Sequence, residues 1–177
     1  VDDGQGGDTD LSLVAGLPCS PGSLRRKFLR DLSGYTGLTF LLGRALMDAE
    51  ILKWTVANDV QRLPPRPWPE HLRAFARNTW RTALVQLALF SLAAAAGHAW
   101  LYGMFVLSYL TPFPLILRIR SLAEHACTEP VADMFRNTRT TRAGLLARMT
   151  VAPPHVNYHS EHHVMASVPF RNLPLMH

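Results

Sequence analysis

The sequence predicts an all-α integral membrane protein: a transmembrane hairpin set between cytoplasmic helices, the last of which carry a histidine cluster. Three observations predict it. From Thr82 to Leu117 there are 36 residues without one Asp, Glu, Lys or Arg. Arginines stand at both ends of that run, Arg73, Arg77 and Arg81 before it and Arg118 and Arg120 after it. Four of the chain's eight histidines fall in its last stretch, "NYHSEHHVMASVPFRNLPLMH", residues 157–177.

The apolar run comes first. A spanning helix needs about 20 residues at roughly 1.5 Å each, so a run of this length is too long for one pass and suits two short ones. Gly97 and His98 sit near its middle, where a turn and a polar group would meet water. Trp80 and Trp100 lie one pass length apart, and Tyr102 joins the far aromatic belt. Positive charge on both flanks places both ends in the cytoplasm. The chain then divides into a cytoplasmic segment 1–77, a two-span hairpin 78–118 and a cytoplasmic segment 119–177. The other reading of the run is a buried helical hairpin in a soluble protein.

The 177 residues suffice for one domain with a sizeable core, and 48% of them are apolar. Net charge is +5, although Asp2, Asp3, Asp8 and Asp10 put four negative charges into the first ten residues. Sixteen of the eighteen basic residues are arginines, and they are scattered. No basic stripe with interleaved aromatics and no base-reading motif occurs, which argues against nucleic acid as a partner. A membrane surface or an acidic protein suits scattered arginine better. Cys19 and Cys127 have neither a disulfide framework nor metal-binding spacing, and read as reduced thiols in a cytoplasmic setting. The chain opens on Val1, so it is expected to be processed or an internal piece of something longer.

Residues 1–20 are rich in Gly and Asp and read as extended or disordered. "SPGSLRRKFLRDL" offers Ser23 as an N-cap before a basic amphipathic turn. Over 36–63, Leu38, Leu41, Leu42, Ala45, Leu46, Ala49, Leu52, Val56 and Val60 recur at three- and four-residue steps, which predicts an amphipathic helix. Arg44 interrupts its apolar face, so it is read as docked or interfacial. Pro64, Pro65, Pro67 and Pro69 end it in an extended linker. Beyond Arg120, "NTRTTRAGLLARM" reads as a loop and a short helix, and Pro153–Pro154 open a last helix.

On that helix His155, His159, His162 and His163 fall within an arc of about 100°. Imidazoles three and four residues apart can converge on one or two metal ions; pH sensing is the other job such a cluster performs. His125, in "RSLAEHA", lies just past the cytoplasmic end of the second span and is placed to reach the same cluster. Glu124 and Glu161 directly precede His125 and His162. A carboxylate near a metal-bound imidazole commonly fixes its tautomer, the alternative being two solvated surface groups. Zinc is possible, but four or more nitrogens without a cysteine, an assured carboxylate or an H-E-x-x-H pattern would make an unusual zinc site, and iron accepts imidazole readily. His71 and His98 read as fillers; His177 stays open, as does His155 between ligand and neighbour.

These residues carry a resemblance. The closing stretch resembles the third histidine box, H-x-x-H-H, of the membrane fatty acid desaturase family, and "VPFRNLPLMH" resembles its usual continuation. "RIRSLAEHA" resembles the segment that supplies one further iron-binding histidine after the last span. "GDTDLSL" and "SLRRKFLRDLSGYTGL" resemble the stretch after the second box. The resemblance implies His125, His159, His162 and His163 as iron ligands, with Asn157, Glu161, Glu124 and His155 around them. It implies a non-haem di-iron centre that uses O2, and two electrons from a donor such as ferredoxin or cytochrome b5, to desaturate a fatty acyl or acyl-lipid substrate. A lipid hydroxylase of the same family, acting on a carotenoid, alkane or sphingolipid, is the alternative, and a non-catalytic metal-binding membrane protein is another. Two departures stand out. No histidine precedes His71, so the family's earlier boxes, H-x(3–4)-H and H-x(2–3)-H-H, do not occur ahead of His155, and "VMAS" follows the closing box where Tyr-Pro is often found. The expectation is therefore the C-terminal part of a single desaturase domain, inactive by itself.

Overall fold

A computed structural model of the chain describes residues 11–14, 16–54, 60–129, 131 and 133–177. The described residues are mostly helical and fall into two compact units. One comprises Arg25–Trp54 and Val60–Pro114; the other comprises Leu115–His177 with the described residues up to Leu24.

Two helices open the chain, α1 (Leu11–Val14) and α2 (Pro21–Leu32). Ser20, not Ser23, caps α2: the Ser23 N–H donates to Ser20 Oγ at 3.3 Å. Pro21 takes the first helical position, where a missing N–H costs nothing. Gly34, at φ 84°, then turns the chain into α3 (Tyr35–Asp48). The carboxylate of Asp31 is fully buried and accepts from Thr36 Oγ1 at 2.6 Å, tying the end of α2 to the first turn of α3.

The amphipathic pattern over 36–63 yields a helix only as far as Asp48. Beyond it the chain forms a two-stranded antiparallel ribbon, β1 (Leu52–Trp54) and β2 (Val60–Arg62), with Leu52 opposite Arg62. Val56 lies outside the described residues. The reason for the early stop is tertiary. The next helix, α4 (Trp68–Ala95), takes over the carbonyls at the end of α3. Asn78 Nδ2 donates to Asp48 O at 2.9 Å, and His71 Nδ1 lies 2.8 Å from Ala49 O. Glu50, at φ 53°, is clamped by Arg66 at 2.6 Å and Arg77 at 2.5 Å. The hydrogen bond from Arg66 is the main cause of a Glu50 carboxyl held below its usual range, with Arg77 adding to it against an opposing desolvation. Pro69 also differs from expectation, since it lies in the first turn of α4 rather than in a linker.

α4 turns back through Gly97 (φ 77°) into α5 (Trp100–Leu110), so the turn falls at the Gly97–His98 pair. The two helices pack as a hairpin. Tyr102 Oη donates to Gln86 Oε1 at 3.2 Å, and the Phe90 and Tyr102 rings meet edge-on at 5.5 Å. Their large apolar side chains face outward: Leu84, Val85, Leu92 and Trp100 are all more than half exposed. Contiguous exposed apolar surface of this kind marks an interaction site for a membrane or a protein. Among the described residues one stretch is able by length and composition to cross a membrane, Trp100–His125. It is broken at Thr111 by Pro112, after which α6 (Pro112–His125) resumes. In α4 the charge-free part is 82–95, roughly 21 Å at about 1.5 Å per residue, short of a ~30 Å hydrocarbon core.

The other unit continues from α6 through α7 (Met134–Asn137), α8 (Leu145–Met149) and α9 (His159–Val164), with 3-10 turns at Pro153–His155 and Phe170–Leu175. Leu173, Ala152 and Leu13 are its buried apolar residues, and Arg118 reaches the Leu13 carbonyl at 2.7 Å. Most of what this unit buries is polar, from Glu124 and His125 on α6 to His159 and Glu161 on α9. Buried polar groups are the informative exception in a protein interior, because each must be satisfied by a partner.

Candidate metal centre

The end of α6 delivers Glu124 and His125, and α9 delivers His159 and, one turn on, His163. Four residues apart on a helix, His159 and His163 share a face. His155 does not join them. Pro154 is non-helical and His155 has φ 64°, so Pro153–Pro154 open only a 3-10 turn and α9 begins afresh at His159. The His155 ring lies beside Tyr158 instead, 6.0 Å away.

A short strap, "NTRTT" (137–141), fixes α6 against α9. The Arg139 N–H donates to Glu124 O at 2.9 Å, and its guanidinium reaches the Leu122 and Ala126 carbonyls at the open end of α6. On the other side the hydroxyls of Thr138 and Ser160 meet at 3.1 Å, and Thr140 donates to Glu161. Asn157 and Thr141 are joined twice, Thr141 N–H to Asn157 O at 2.9 Å and Asn157 Nδ2 to Thr141 O at 2.8 Å. Asn157 thus holds the strap, and the sequence reading saw this strap only as loop.

The strap brings three imidazoles together. His159 Nε2 lies 2.8 Å from His125 Nε2 and 2.9 Å from His163 Nε2. The rings stand nearly edge-on, His125 against His159 at 87° and against His163 at 81°. One ring nitrogen carries either a proton or a lone pair, so His159 Nε2 cannot satisfy both neighbours by hydrogen bonding. A cation facing three lone pairs satisfies all of them. Ligands at right angles on metal–imidazole bonds of about 2.0–2.1 Å would stand about 3 Å apart, which is the spacing seen here. The donor set therefore fits a metal ion.

Glu124 is the carboxylate that approaches His159. Its Oε2 lies 3.7 Å from His159 Nδ1, the nitrogen facing away from the trio. Arg120, one turn earlier on α6, holds both Glu124 oxygens at 2.9 and 3.0 Å. The i, i+4 spacing of Arg120 and Glu124 was the signal for this clamp in the sequence. Glu161 faces the other way, toward Thr140 and His177, whose Nδ1 is 2.6 Å from Glu161 Oε1. Burial pushes the Glu161 carboxyl up, but the hydrogen bonds from Thr140, its own backbone and His177 outweigh it and hold it below its usual range. His162 is exposed on α9, its ring 6.2 Å from that of His159, and lies outside the converging trio. His71 and His98 lie elsewhere, His71 at the end of α3 and His98 edge-on to Trp100 at the hairpin turn.

Residues 2–177 match the family model described as fatty acid desaturase. The chain belongs to the fatty acid desaturase family. Comparisons with curated proteins and with solved structures returned no match. Desaturase-type membership makes the chain one of a family of oxidoreductases known for di-iron centres, and its histidine trio has the donors for metal. Family membership and the long apolar stretch found among the described residues, Trp100–His125, both point to membrane association.

Proposed function

We propose that this chain is the C-terminal, histidine-box part of an O2-dependent, non-haem di-iron desaturase of fatty acyl or acyl-lipid chains. The observation that carries the reading is the convergence of three Nε2 atoms at 2.8 and 2.9 Å in a chain matched along its length by the desaturase family. His125, His159 and His163 would hold iron together, and the H-x-x-H-H pattern adds His162 to the ligand set. Four imidazoles cannot fill two iron shells of roughly four to six ligands each, so the pair draws further ligands from outside these residues. Iron supplies the O2 chemistry that removes hydrogen from an unactivated methylene, with two electrons from a ferredoxin- or cytochrome b5-type donor.

The chain's own residues bind and orient. Glu124, held by Arg120, lies close enough to His159 Nδ1 to orient the ring when a metal is bound, and the 137–141 strap ties α6 to α9. On this reading the hairpin α4–α5 and the start of α6 enter the bilayer, and the arginines on both flanks support a cytoplasmic side for the histidines. Lipid analysis by mass spectrometry, in a host expressing the complete enzyme, tests this. The reading predicts a new double bond that disappears with His125→Ala, His159→Ala, His162→Ala or His163→Ala and persists with His155→Ala or His98→Ala. A hydroxyl product without a double bond would move the assignment to a lipid hydroxylase. Product that survives His159→Ala would overturn the metal site.

A further inference from the structure

The open end of the α4–α5 hairpin carries a dense positive charge that the metal centre does not use. Residues 25–81 hold eleven Lys and Arg against five Asp and Glu, a net +6, and 82–117 hold none of either. Acidic groups in this region are largely engaged within it. Asp31 is buried against Thr36, Asp48 pairs with Arg44 at 3.0 Å, and Glu50 is clamped by Arg66 and Arg77. Arg25, Arg26 and Arg30 on α2 are exposed, and among the described residues no acidic group is paired with them.

Their apolar neighbours are exposed too. Leu29 and Leu32 lie three apart on α2, and Leu38, Leu41 and Leu42 form an i, i+3, i+4 stripe on α3. α3 itself lies across the hairpin's open end. It starts where Gly37 meets Leu110 on α5 and finishes where Asp48 meets Asn78 and Thr79 on α4. Trp80 follows at once, just before the charge-free run begins at Thr82, a position typical of interfacial tryptophan. An apolar stripe edged by unpaired arginines, at the rim of an apolar hairpin, has the pattern of an in-plane interfacial helix.

We propose that α2 and the outer stripe of α3 form a docking surface for anionic phospholipid headgroups, with Arg25, Arg26 and Arg30 as the phosphate-facing residues and Leu29, Leu38 and Leu42 entering the acyl boundary. The proposal rests on the membrane placement above, and its occupant is a lipid surface rather than an acidic protein because the arginines are interleaved with leucines that a headgroup layer covers. Each basic residue near an anionic surface contributes a several-fold attraction, so three together give roughly 100-fold.

The test reconstitutes the purified 177-residue chain in nanodiscs of phosphatidylcholine alone and of phosphatidylcholine with phosphatidylglycerol, then counts retained lipid by native mass spectrometry after detergent release. The surface predicts preferential retention of phosphatidylglycerol, lost on going to high salt and in Arg25→Gln/Arg26→Gln/Arg30→Gln. The matching Lys triple variant keeps it, and a control triple, Arg142→Gln/Arg148→Gln/Arg171→Gln, leaves it unchanged. Equal retention of both lipids by the parent overturns the proposal while leaving membrane insertion intact. So does an unchanged preference in the Gln variant, or an equal loss in the control. Failure of the parent to insert into either disc would instead strike the membrane reading itself.

Discussion

Gly37→Ala probes how α3 seats on the hairpin. A Cβ at Gly37 would stand 2.3 Å from the Leu110 carbonyl oxygen, 2.5 Å from its Cα and 2.8 Å from its carbonyl carbon. All three are backbone atoms of α5, so no side chain can swing aside, and α3 must lift off. Overpacking of this kind typically costs about 1–3 kcal/mol, against at most about 1 kcal/mol gained because alanine is the better helix former. The net loss is about 1–2 kcal/mol. Gly43, on the same helix, has nothing within 4 Å of its Cβ position, so Gly43→Ala should gain about 0.5–1 kcal/mol. For a chain of this size each kcal/mol moves the melting temperature by roughly 2–4 °C. Tryptophan-emission melting in one detergent should therefore show Gly37→Ala melting several degrees below the parent and Gly43→Ala slightly above. If both alanines raise the melting temperature alike, α3 does not sit against Leu110 and the interfacial geometry argued from it fails.

Glu124→Gln should weaken cobalt(II) binding by about 10–100-fold, whereas Glu161→Gln, whose carboxylate faces Thr140 and His177, should change it little; titration followed by the visible cobalt spectrum compares the two. Asn157→Ala removes one of the two bonds to Thr141 and leaves the half-buried Thr141 carbonyl short of its donor, at a cost of about 0.5–1.5 kcal/mol in a denaturant titration. Glu50 has a folded pKa below its ordinary 4.5, so its contribution to stability is complete above that value and is lost as pH falls through the lower folded value. Melting temperatures of the parent and Glu50→Gln, followed from pH 7 to pH 3, should run parallel above about 4.5 and converge below it.

Much of the histidine cluster was legible because its pieces are local. Spacing alone put His159 and His163 on one face, and the position of His125 just past the apolar run put it within reach. The error at His155 was also local: two prolines can open a helix, yet Pro154 left helical geometry and His155 took φ 64°, so the periodicity ran across a break it could not register. What stayed hidden is non-local. The strap at 137–141 has no periodic signature, since its work is done through backbone groups and threonine hydroxyls that meet residues about twenty positions away. Glu124 was visible as a carboxylate near the site but was matched to its neighbour His125, because only the packing of α6 against α9 reveals that it faces His159. The pattern over 36–63 overran for the same reason. Its leucines continue at helical steps, but side chains of α4 claim the carbonyls at Asp48 and Ala49 and end the helix there.

Metal stoichiometry tests the central claim most directly. The purified chain, loaded anaerobically with iron(II) or cobalt(II), is freed of loose metal and assayed by elemental analysis. Convergence of His125, His159 and His163 predicts one ion per chain, lost in His125→Ala, His159→Ala and His163→Ala and kept in His155→Ala, His98→Ala and His162→Ala. No retained metal in the parent, or one that survives His159→Ala, would contradict the site. Two tightly held ions per chain would contradict the need for ligands from outside it.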